Sequence, residues 1–250
     1  ENRYTAARNK ARLAEQGYEV LAINYRSGIG YGRAFRDAPG RAWRAASESQ
    51  DVLAAGRWLA SQRGVNPNEI GIWGGSYGGL LTGQALARNS DLFKAGVGIH
   101  GVYDWSWPSP VKGHLSPSTY FGVDEKDRDQ ARASSPIGHL DIWRSPVLLI
   151  HGFASNHRIN WVNPRWVVTV AKAGRRVVAF DNRGHGESEK RYAPEAYHSG
   201  LMARDGANLL DQKSAVEWID AAKRQQLVEV GGRRGGFGRV TRRRTRRSRS

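Results

Sequence analysis

Between Glu69 and Arg88 three stretches follow one another without a gap: Glu-Ile-Gly-Ile-Trp, Gly74-Gly75-Ser76-Tyr77-Gly78, and a Leu- and Ala-rich segment. An apolar run of strand length that feeds directly into a glycine-bracketed serine and then a helix-forming stretch allows few folds. The turn must be tight and strained so that the serine hydroxyl stands above a sheet. It predicts no room for a side chain at Gly74 or Gly78. It also places Ser76 at a helix N-terminus, where backbone N–H groups and the helix dipole favour negative charge.

The rest of the chain alternates in the same way, and alternating strands and helices predict an α/β class with a mostly parallel sheet covered by helices on both faces. Strands are expected at 19–25 (buried on both faces), 69–73, 95–100, 146–150 and 176–180. Helices are expected at 6–16, 49–63, 77–88, 164–173 and 213–224. Val52, Leu53, Trp58 and Leu59 are placed on the apolar side of the second helix, and Gly17 and Gly64 at helix ends. Residues 105–140 have no clean period and read as an excursion above the sheet.

The formal net charge of +16 is unevenly placed. Residues 231–250 carry nine arginines and no acid. A Gly-Arg-Ser tract of this kind buries nothing, so it reads as a disordered tail following a single domain over 1–230. Such a tail would bind polyanions non-specifically and in a salt-dependent way, or would simply be solvated. The absence of cysteine excludes thiol catalysis and disulfides and fits either redox environment. No apolar run is long enough for a membrane span, and the start of the chain, at Glu1, says nothing about compartment.

Five segments resemble the catalytic domain of the prolyl oligopeptidase family of serine peptidases, an α/β-hydrolase fold. They are NYRSGIGYGRAF (24–35), SESQDVLAAGRWL (47–59), IGIWGGSYGGLLTGQALARNSDLF (70–93), GIHGVYDWS (98–106) and SPVLLIHG (145–152). The resemblance implies that Ser76 is the nucleophile and that the N–H of Tyr77 is one oxyanion donor. Members normally carry an N-terminal β-propeller and a glycine-rich oxyanion loop upstream of the matching region. Neither is found in this sequence, so the fold is expected to be incomplete.

In that family the triad acid follows the strand ending in His-Gly. Here His151-Gly152-Phe153-Ala154-Ser155-Asn156 supplies no carboxylate. HGFASNHRINW (151–161) and RRVVAFDNRGHGES (175–188) instead resemble lipase- and esterase-like hydrolases, and LLDQKSAVEWI (209–219) resembles a helix of type-B carboxylesterases. These resemblances imply a chimera joined near 145–152, with residues 145–185 docking on the sheet as its last βαβ unit. His185, on the loop after the last such strand, then reads either as the triad histidine or as a turn residue. Asp104, just after the strand ending at His100, reads either as a substitute acid or as a capping aspartate. Asp181 lies close to His185 in sequence. The remaining histidines show no metal-ligand spacing, and the chemistry asks for no cofactor.

Two functional classes follow. One is a serine hydrolase that cleaves short-chain acyl esters or small peptides through an acyl-enzyme on Ser76. The other is a catalytically impaired fragment that keeps the fold without a complete triad.

Overall fold

The computed structural model describes residues 11, 13–108, 122–174, 177–211 and 227–230. They fall in two compact units, Glu1–Gly152 and Phe153–Ser250. The expected helix at 213–224 and the arginine-rich tail lie outside the described residues, as does most of the helix expected at 6–16.

In the first unit, helix α1 (Glu48–Ala60) carries Glu48 and Asp51 in its first turn, where the dipole favours acids. Val52 and Gly56 are buried. A Cβ at Gly56 would meet the Phe93 ring at 2.5 Å, so this glycine is what lets Phe93 press onto the helix. Trp58, expected on the buried side, is 55% exposed. The helical stripe runs 52, 56, 59, and 58 falls off it.

Strand β1 (Gly71–Gly75), helix α2 (Tyr77–Arg88) and strand β2 (Ala95–Ile99) follow. Strand β3 (Val147–Ile150) completes a three-stranded parallel sheet of order β1-β2-β3. Gly71 pairs with Ala95 and Gly75 with Ile99, while Ile99 pairs with Ile150. Helix α2 packs on β1 and β2 and buries every residue from Gly79 to Ala87. Small residues on the strands allow that approach: a Cβ at Gly96 would lie 2.7 Å from Leu86 Cδ1 and 3.2 Å from Thr82 Cγ2, both on α2.

The stretch 19–25 is not a strand, and Leu21 is 37% exposed. Apolar composition does not make a strand where no neighbour supplies ladder hydrogen bonds. Among the described residues β1 pairs with β2 alone. The segment is instead tied down at Arg26, whose guanidinium and backbone N–H both donate to Asp51 at 2.6–2.8 Å.

The excursion after β2 returns as short helical pieces, including α3 (Arg128–Ala133). It packs firmly. Ala131 joins Trp43, Leu80 and Trp105 in one buried cluster. The buried Ser135 hydroxyl donates to the Ala131 carbonyl and accepts from the Trp105 N–H.

In the second unit, a single π-turn (Arg158–Val162) precedes α4 (Trp166–Lys172). Strand β4 (Val177–Phe180) does not extend the parallel sheet. It pairs antiparallel with β5 (Leu227–Val230), Phe180 opposite Leu227. This corrects the expected βαβ docking: the downstream segment 227–230, for which no strand was expected, supplies the ladder partner. Helix α5 (Ser199–Asp211), also unexpected, follows the loop that carries His185. Among the described residues no helix is long and apolar enough to cross a membrane.

Candidate active site

Ser76 stands between the end of β1 and the start of α2 with φ +55° and ψ −119°. Few non-glycine residues adopt such a conformation, and it is retained only where the surroundings over-determine it. Here they do. The Ser76 N–H donates to the Ile99 carbonyl at 2.9 Å and to His100 Nδ1 at 3.1 Å, while its carbonyl accepts from the Leu80 N–H. A Cβ at Gly74 would stand 2.9 Å from Gly78 Cα and closer still to its carbonyl group. The strand can therefore turn into the helix only through glycine at 74.

The expectation for Gly78 fails. A Cβ there would meet nothing within 4 Å. The helix glycine under pressure is the next one, Gly79, whose added Cβ would lie 2.9 Å from the Ile99 oxygen and 3.0 Å from Gly101 Cα. The pentapeptide pattern stops one residue short of it, and only the close pairing of α2 with the end of β2 reveals its role.

Tyr77 fixes the first turn of α2. Its ring stacks on Tyr25 at 6.0 Å and tilts against Trp105 at 5.9 Å. Its hydroxyl donates to Glu48 Oε1 at 2.8 Å. Burial, with the Glu48 carboxylate beside it, pushes the phenol well above its ordinary range, so it stays a donor. Glu48 is fully buried and also accepts the Ala42 N–H on both oxygens at 3.1 Å. The Tyr77 backbone N–H, in the first helical turn, has no carbonyl partner within its own helix and is oriented by this anchored side chain. No sequence pattern pointed to Glu48, because an acid in a first helical turn is usually explained by the dipole alone.

Asp104 ends the β2 turn. Its Oδ1 accepts from the Ser106 N–H at 2.9 Å and the Ser106 hydroxyl at 2.6 Å, a local turn that side chains of this type commonly make.

His185 belongs to the second unit, in a loop pinned at two points. Asp181, with no exposed surface, accepts the N–H of His157 at 2.6 Å and of Glu187 at 2.9 Å, and lies 2.9 Å from His157 Nδ1. Burial alone would raise the Asp181 pKa. The N–H groups of His157 and Glu187, together with the His157 ring, outweigh burial and hold it below the usual carboxylate range. Arg183 makes a two-pronged pair with Asp205 of α5 at 2.6 and 2.7 Å. Asp181 is thus committed to shaping the loop. The His185 ring lies 3.0 Å through Nδ1 from the Arg183 carbonyl and edge-on to Phe153 at 6.1 Å. Phe153 opens the loop where the resembled family has its acid, and Ser155 on that loop buries its Oγ.

A parallel sheet, a serine held at positive φ between strand and helix, and glycine-mediated contact beneath it define an α/β-hydrolase of the nucleophilic-serine type. Residues 4–202 match the prolyl oligopeptidase family, and the chain belongs to that family. The match runs through 145–188 without a break in family. The chain is similar to dipeptidyl aminopeptidase BIII of Pseudoxanthomonas mexicana, 28% identical over 77% of this chain and 30% of the relative. It is also similar to the acylamino-acid-releasing enzyme of Arabidopsis thaliana, 29% identical over 58% of this chain and 20% of the relative. Among solved structures, Porphyromonas gingivalis dipeptidyl peptidase 4 aligns with a TM-score of 0.52 and 25% identity over 66% of this chain and 23% of that one. The chain thus spans less than a third of the length of these relatives.

Proposed function

We propose that this chain carries the nucleophilic part of a serine peptidase acting on small peptides, with short-chain acyl esters as accessible substrates. The observation that carries the reading is the strained Ser76 on its glycine turn, with the anchored Tyr77 directly after it. The names of its relatives, dipeptidyl aminopeptidase and acylamino-acid-releasing enzyme, support peptide substrates with a small or blocked N-terminal part.

In this reading Ser76 Oγ attacks the scissile carbonyl while a histidine takes its proton, the role assigned to His185. The tetrahedral oxyanion is met by the Tyr77 N–H, a type of donor whose loss costs about 10²–10³ in rate. The histidine then protonates the leaving amine or alkoxide, and water releases the acyl group by the same steps. Asp104 is the carboxylate assigned to support the imidazole, with Oδ2 outside the Ser106 turn.

The test is hydrolysis of p-nitrophenyl butyrate and of an N-blocked aminoacyl p-nitroanilide by the purified chain and by Ser76→Ala, His185→Ala and Asp104→Asn. Activity lost in Ser76→Ala supports the nucleophile, and loss in the other two supports their roles. Equal rates for the chain and Ser76→Ala would sink the reading.

A further inference from the structure

We propose that His100 is a positioning residue of the serine turn: its neutral imidazole holds the Ser76 amide through Nδ1, and protonation of His100 releases that hold. The inference rests on the reading of Ser76 as nucleophile. Ser76 at φ +55° and His100 at φ +41° are both non-glycine residues with left-handed backbone, and they are hydrogen-bonded to each other. Such conformations persist where the surrounding structure enforces them.

The enforcement is visible around His100. Its N–H donates to the Ile150 carbonyl at 2.7 Å, which holds the end of β2 to β3. Gly101 beside it packs on the first turn of α2, where a Cβ would come within 2.8 Å of the Leu80 nitrogen. The ring and its stem are bracketed by glycines. A Cβ on Gly75 would lie 3.6 Å from His100 Nε2, and one on Gly152 would lie 3.3 Å from His100 Cβ. Glycine at 152 leaves room for the His100 stem. The ring lies at ordinary contact distance from where a side chain on residue 75 would start, so the imidazole occupies a slot against the serine backbone.

The chemistry follows from the donor. A backbone N–H can only donate, so Nδ1 must present a lone pair and the proton sits on Nε2. The protonated imidazole carries N–H on both nitrogens and would set donor against donor at 3.1 Å. The Ser76 amide then keeps only the Ile99 carbonyl, and the turn loses one of the two acceptors that fix its strained φ.

Titratable groups on the neighbouring elements are Tyr77 and Glu48 across the turn, Tyr103 and Asp104 after β2, and His151 at the end of β3. Tyr77 and Glu48 bond each other, Asp104 is engaged by Ser106, and His151 Nδ1 lies 2.9 Å from the Gly152 carbonyl. Burial pushes Tyr103 well above its ordinary range, so it stays neutral while an imidazole titrates.

The test is a pH titration of the ¹⁵N-labelled chain, following the Ser76 amide and the His100 ring, with His100→Asn and His100→Phe beside it. Asparagine tolerates positive φ and offers a non-titrating acceptor; phenylalanine fills the slot without one. The Ser76 amide should move with the His100 titration in the parent chain and stay flat in His100→Asn. Labelling of Ser76 by a fluorophosphonate at pH 8 should be about threefold to tenfold slower in His100→Phe than in His100→Asn, the range that one hydrogen bond's net contribution converts to. An amide that ignores the His100 titration, or moves equally in His100→Asn, overturns the inference. A titrating amide on a serine that the phosphonate never labels upholds the contact and sinks the nucleophile reading instead.

Discussion

Gly74→Ala tests whether the serine turn works through backbone geometry. The added Cβ would lie 2.9 Å from Gly78 Cα, and nearer to the Gly78 carbonyl. Carbon atoms pack at about 3.5–4.0 Å, so strand and helix must separate by roughly 1 Å. Neither side yields easily. β1 is bonded along its length to β2, and the first turn of α2 is clamped by Tyr77 on Glu48 and by Gly79 on Ile99. Overpacking of this kind costs about 1–3 kcal/mol, equivalent to about 2–12 °C in Tm for a unit of this size. The displaced turn also carries the Tyr77 N–H and Ser76 itself, and a misplacement of about 1 Å at reacting groups costs about 10²-fold. The assay pairs fluorophosphonate labelling rates with thermal melts, and Gly78→Ala serves as the internal contrast. A Cβ at 78 meets nothing within 4 Å, and exchanging glycine for alanine inside a helix is worth about 0.5–1 kcal/mol. Gly74→Ala should therefore melt lower and label at least about 10²-fold more slowly, whereas Gly78→Ala should melt at or above the parent temperature. Equal melts and equal labelling in the two variants would refute the steric argument.

Gly79→Ala should melt lower than Gly78→Ala by an amount consistent with about 1–3 kcal/mol, because its Cβ meets the Ile99 and Gly101 backbone; coincident melting curves would count against that packing. Glu48→Ala strands the Ala42 N–H and the Tyr77 hydroxyl, at about 1–3 kcal/mol each, so it should destabilise more than Tyr77→Phe in urea unfolding. Asp181 has a folded pKa below the ordinary value of 3.8, so its contribution is present above that value and is lost as pH falls through the folded one. Melting temperatures measured from pH 6 downward should accordingly fall in the acid range for the parent chain and show a shallower fall for Asp181→Asn.

The serine turn was legible because three local signals agree within twenty residues: an apolar strand, a glycine bracket and a helix-forming run. Helix α2 occupies the span those signals predict, 77–88. Legibility ends where the decisive atoms are far apart in sequence. Residues 19–25 have strand composition, yet pairing is a property of the neighbour, which local composition cannot report. β4 was recognisable as a strand, while its partner at 227–230 sits almost fifty residues downstream and reverses the expected direction of pairing. At the site, Gly79, Glu48 and His100 act through contacts across 20 to 30 residues, and no spacing rule connects them.

In the proposed reading, with His185 as the triad histidine, the geometry around it changes what the missing carboxylate means. A triad acid does two things for the imidazole: it selects the tautomer with the proton on Nδ1, and it stabilises the positive charge formed during reaction. In this chain the Arg183 carbonyl lies 3.0 Å from Nδ1. A carbonyl oxygen only accepts, so the contact places the proton on Nδ1 and the basic lone pair on Nε2, the tautomer a general base requires. The loop that presents this carbonyl is held from inside by Asp181 and tied to α5 through Arg183 and Asp205. Selection of the wrong tautomer accounts for the loss of about 10⁴ in chymotrypsin-type enzymes whose acid is changed to an amide. With the tautomer already set by a backbone group, a carboxylate elsewhere is needed only for its charge. Such a requirement is met at longer range and with looser geometry than a hydrogen bond demands.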